Sequence, residues 1–171
     1  MKIQMHKIKQ KFDSFYIEDI EGAIGKEIEK LNLKIKKGQR IAITAGSRGI
    51  DRIPFILKAV AQKVKDLGGE PFLVPAMGSH GGATAEGQKK ILEELGITPE
   101  FIGAPVISSM EVVKVGDFCA AANGNNKSVE TPVVIDKNAY EADGIIIVNR
   151  VKPHTSFHSD IESGMMKMIA I

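Results

Sequence analysis

The chain has 171 residues, enough for one domain with a sizeable core, and its 43% hydrophobic and 26% charged residues set it apart from disordered chains. A net charge of +2, from 23 basic and 21 acidic side chains, gives no footprint for nucleic acid. No apolar run approaches a membrane span, the start "MKIQMHKIKQKF" lacks the apolar stretch of a secretion signal, and the single Cys119 has no partner for an internal disulfide, so a cytoplasmic protein is expected.

In chain order, Ile20, Ile24, Ile28 and Leu31 recur at helical spacing and predict a helix over 18–32. "RIAITAG" (40–46) reads as a short apolar strand, and "SRGID" as the turn after it. The next helix starts near Asp51, with Pro54 in its first turn. It buries Ile53, Leu57, Val60, Val64 and Leu67 and stops at Gly68-Gly69. "EPFLVPAMG" (70–78) repeats the strand, "SHGGAT" is a loop, and Thr84 caps a helix that ends at Gly96. Between 97 and 131, "PVISSMEVVKVGDF" has strand-like stretches and "AAANGNNKS" is rich in turn residues. "TPVVID", a short helix at "KNAYEAD" and a strand "GIIIVNR" (144–150) complete the series. Alternating strands and helices predict one α/β domain with a mostly parallel sheet and helices on both faces, a Rossmann-like arrangement.

In such a sheet, ligands gather at the loops beyond the carboxyl ends of the strands. Three of these loops carry the unusual residues. "AGSRGI" offers backbone amides and the Arg48 guanidinium, a planar fork suited to a carboxylate or phosphate, although a tight turn with a solvated arginine reads equally well. It matches neither the P-loop nor the dinucleotide fingerprint. "GSHGG" surrounds His80 with glycines, which let a ligand or another backbone approach, and histidine is the usual proton carrier near neutrality. Ser79 beside it belongs to no nucleophile elbow.

"NRVKPHTSFHSDIESGMMKMIAI" (149–171) holds the third set. His154 and His158 stand four apart, a metal-ligand spacing only on a helix, and Pro153 argues for a loop. No metal site within the chain is therefore expected. Lys167 is the one charge in its apolar run. It either snorkels to water or is desolvated into a nucleophile.

Taken in order, the arginine loop, the Gly-Ser-His loop and the late "PHTSF…GMMK" segment resemble the amino-terminal domain of the lactate racemase family over roughly 40–171. That family uses a nickel-pincer nucleotide, a pyridinium mononucleotide carrying nickel. The resemblance implies that Arg48 grips the substrate carboxylate and that His80 and His154 serve as acid and base on opposite sides of the substrate. It further implies that Lys167 joins the cofactor covalently, while Ser47, Gly49 and Gly81 lie in loops that receive the nucleotide's phosphate. Ala45 and Gly49 replace an acidic residue and a proline of the family pattern, so a larger 2-hydroxy acid or sugar acid fits as well as lactate.

The resemblance also implies a second domain beyond residue 171 that supplies the nickel ligand. The isolated chain would then lack both cofactor and racemase activity, and its apolar tail would be disordered or buried against a second copy of the chain. Two other classes compete: a nucleotide- or anion-binding module without turnover, and a zinc hydrolase built on His80, His154 and His158.

Overall fold

The structure, a computed structural model, describes residues 6–11, 16–47, 49–121 and 128–150. Helix α1 (Ile20–Lys30) begins where the Asp19 carboxylate accepts from the Gly22 amide, which satisfies one of the free donors of the first turn. Strand β1 (Arg40–Ala45) leads through the 46–52 turn to α2 (Ile53–Asp66). Strand β2 (Glu70–Pro75) is followed by a 3-10 turn at His80–Ala83 and by α3 (Ala85–Glu94). A four-residue helix α4 (Pro99–Ile102), which periodicity did not predict, follows Thr98, whose side chain caps it. Strands β3 (Val112–Ala121) and β4 (Ser128–Asp136) come next, then α5 (Lys137–Tyr140) and β5 (Gly144–Ile146).

β1 lies at the centre of a parallel sheet of order β2-β1-β5, with Ala45 opposite Pro75 on one side and Ile43 opposite Ile146 on the other. A parallel bridge from Leu73 to Val106 extends it past β2, where Leu73 donates to the Pro105 carbonyl and accepts from the Ile107 amide. The expected α/β architecture is present. "TPVVID", however, belongs to β4, which pairs antiparallel with β3 in a separate two-stranded sheet. β5 is also shorter than the expected 144–150, because ladder pairing with β1 stops at Ile146.

Alternation along the strands divides the interior into two layers. Ile41, Ile43, Ala45 and Leu73 face α2, α3 and α4, where they meet Leu57, Val60, Val64, Leu92 and Ile102. Ile24 and Ile28 of α1 pack against the same layer. Ala42, Phe72 and Val74 point the other way, onto Ala139 of α5 and Ile107. Helices therefore flank both faces, massively on one and thinly on the other. Leu31 and Leu67, expected in the core, are exposed instead. Each is the C-cap of its helix, where the chain turns away before the side chain can reach the packed face.

Candidate functional site

The chain passes from β1 to β2 on one side and returns to β5 on the other, so strand order reverses around β1. The carboxyl ends of β1 and β5 thus flank a topological switch point, the usual location of a ligand crevice in an open α/β sheet. Side chains lock the loops together here. The Val148 amide donates to Thr44 Oγ1 at 3.0 Å, which continues the link between the outgoing chain and β1 after the ladder has ended. Two residues on, Arg150 Nη1 donates to the Gly49 carbonyl at 2.6 Å. The chain leading toward residue 154 is thereby tied to the loop that carries position 48.

The loops after β1 and β2 meet through Ser47 and His80. Ser47 Oγ and His80 Nδ1 are hydrogen-bonded at 2.6 Å, both residues half-buried and 33 positions apart. Parallel pairing of β1 with β2 ends in register at Ala45 and Pro75, and the Ala76 amide donates to the Ala45 carbonyl, so the two loops leave the sheet at the same level.

His80 is held from the α3 side. Its amide donates to the Met77 carbonyl, and Gly81, Gly82 and Ala83 all adopt positive φ, a run of left-handed conformations that favours glycine. A Cβ on Gly81 would overlap the backbone of Gly87 and Gln88, and one on Gly87 would overlap the Gly81 carbonyl. Of the two occupants that the glycine at 81 could admit, a ligand or another backbone, the described residues show the second: the histidine turn presses against α3. Elsewhere, on the Cβ sides of Gly49 and Gly82, nothing among the described residues comes within 4 Å. Thr84 works in both directions: its hydroxyl donates to the Gly81 carbonyl and accepts from the Gly87 amide. The expected cap is thus also a brace for the turn.

Gln88 is the residue that sequence reasoning missed. It is buried on α3, and its Nε2 donates to the Gly78 carbonyl at 2.8 Å, which fixes the start of the histidine turn. The signal was available, since a polar residue three and four positions before Ile91 and Leu92 occupies the core-facing stripe.

Of the expected site residues, Ser47, Gly49, His80 and Gly81 are placed at this edge of the sheet. Arg48, His154, His158, Lys167 and the 165–171 tail lie outside the described residues. Among the described residues no cluster of three or more His, Cys, Asp or Glu side chains is positioned to hold a metal ion, and no helix is long and apolar enough to cross a membrane. A surface cavity of about 600 Å³ lies between α1 and α2, lined by Glu18, Glu21, Arg52, Lys58 and Gln62 among others. It contains no histidine and does not touch the Ser47–His80 pair. Comparison of the chain with protein-family models, with curated proteins and with solved structures found no match.

Proposed function

We propose that this chain is the amino-terminal domain of a racemase or epimerase acting on 2-hydroxy acids, with His80 and His154 as the proton-handling pair. The observation that carries the proposal is the pairing of Ser47 with His80 across the loops that follow β1 and β2, where the Ser47 loop is also the one that Arg150 ties to the chain beyond β5. An acid/base histidine needs a fixed ring and a solvent-limited cleft. His80 has a half-buried imidazole on a turn braced by Thr84 and Gln88.

The described residues fit the anionic end of a nickel-pincer nucleotide. Gly49 and Gly82 leave open sides against which a phosphate can approach the backbone, and Ser47 brings a hydroxyl to the same edge. Bound there, the cofactor would supply a carbon that accepts the substrate's α-hydride and returns it. The protein's own part is proton transfer and orientation. Arg48 would hold the substrate carboxylate as a bidentate partner. His80 on one side and His154 on the other would take the hydroxyl proton from one enantiomer and return it to the other, because inversion requires a base for each face. Lys167 would anchor the cofactor.

The test uses the longer protein implied by the family resemblance, produced together with the enzymes that build the cofactor. Single enantiomers of 2-hydroxy acids and sugar acids are supplied. Inversion at C2 with the α-hydrogen retained is expected, together with a mass increase on the peptide containing Lys167. His80→Asn should lower kcat by about 100-fold or more, the usual weight of a general acid/base. Tight binding of phosphate or nucleotide with no turnover would favour the anion-binding module, and an active enzyme with unmodified Lys167 would overturn the cofactor assignment.

A further inference from the structure

We propose that Ser47 is a positioning residue that keeps a proton on His80 Nδ1, so that all proton exchange with substrate runs through Nε2. The proposal rests on the reading of His80 as an acid/base and specifies how that residue is prepared.

The 2.6 Å contact occupies Nδ1, and Nε2 has no hydrogen-bond partner among the described residues, which makes it the nitrogen to meet a ligand. Neutral imidazole carries its single proton on one nitrogen or the other, and the hydrogen-bond partner of one decides the state of the second. A hydroxyl can play either part. If Ser47 donates to Nδ1, the neutral ring bears its proton on Nε2 and has no lone pair for a substrate hydroxyl. If Ser47 accepts from Nδ1–H, Nε2 presents a lone pair, takes the hydroxyl proton of one enantiomer to give an imidazolium, and in the reverse direction gives a proton from Nε2 to the keto oxygen. Nδ1 keeps its proton in both forms, so a partner that accepts throughout is what the cycle requires. Serine does so without placing a negative charge against the ring.

The surroundings favour a fixed pair. Ser47 sits two residues after the fully buried Ala45, and its loop is tied by Arg150 to the chain beyond β5. His80 is fixed through Gln88, Thr84 and the Gly81–Gly87 contact. The hydrogen bond therefore joins two braced loops.

Long-range proton–nitrogen correlation NMR of the uniformly 15N-labelled chain reads the tautomer directly. The four histidines are sorted by the signal that His80→Asn removes. Neutral His80 is expected to carry its proton on Nδ1 in the wild type. Ser47→Ala should move the population toward the Nε2–H form, and Ser47→Thr should restore the wild-type pattern. In the cofactor-loaded protein, Ser47→Ala should lower kcat about 10- to 100-fold with KM changed less than about twofold, and Ser47→Thr should recover most of it. The wild-type measurement needs no substitution, so a variant that fails to fold does not remove the test. A wild-type tautomer with the proton on Nε2, or a tautomer indifferent to Ser47→Ala, overturns the role of Ser47 alone. Full activity in His80→Asn overturns the underlying reading of the site.

Discussion

The parallel sheet and the β3–β4 hairpin are built from similarly apolar strands yet live in opposite environments. In β1 every residue after Arg40 is buried, and Ala42, Ile43 and Ala45 have no exposed surface. In the hairpin, Val112, Val115, Phe118, Val133 and Val134 are all exposed, with Phe118 at 62%. The lesson concerns where apolar side chains contribute. Burial against a second layer stabilises the sheet by roughly 25 cal/mol per Å² removed from water, whereas the described hairpin residues rely mainly on their own ladder and on the contact of its end with α5. At that end Lys137 donates to Glu111 at 2.9 Å, which holds the Glu111 carboxyl below its usual range and raises Lys137. Both groups face solvent, so their contribution is small and screened by salt.

The largest effect is expected where the contrast is sharpest. Leu57 is fully buried between α2 and the sheet, and Leu57→Ala should destabilise the fold by about 3 kcal/mol in chemical denaturation. A loss below about 1 kcal/mol would mean that this layer is not the source of stability. Next comes Gln88→Ala, which strips the Gly78 carbonyl of its buried partner. It should cost about 2 kcal/mol and speed amide exchange at Gly78–His80 more than in β1. Uniform acceleration throughout the domain would make Gln88 a general core residue rather than a brace for the turn. The smallest effect belongs to the hairpin: Phe118→Ser should leave stability within about 0.5 kcal/mol of wild type. A loss comparable to that of Leu57→Ala would erase the distinction between the two regions.

Legibility in the sequence follows the same divide. Thr84 as a cap, Pro54 in the first turn of α2 and Gly96 at the end of α3 are local devices, each visible within a few residues, and each stands where it was expected. The α2 face of Ile53, Leu57, Val60 and Val64 was equally readable because a single period governs it. The antiparallel partnership of β3 and β4 was not, since exposed valines on both strands give no clean alternation to identify the partner or the face. Ser47 and His80 were each recognisable as loop residues of interest, but for separate reasons. Their hydrogen bond depends on the register of β1 against β2, a long-range property that neither motif contains. Gly81 was readable as a point of close approach, but which of the two, a ligand or another backbone, comes close depends on the packing of α3.

The contact between Gly81 and Gly87 has a mechanical consequence. Two backbones that touch with no side chain between them transmit displacement almost rigidly, and here the Thr84 and Gln88 bonds bracket the contact. The histidine turn is therefore a forward extension of α3 rather than a flap, and displacing its backbone means displacing a ten-residue helix with Leu92 anchored in the core. α3 is thus the rigid side of this edge of the sheet.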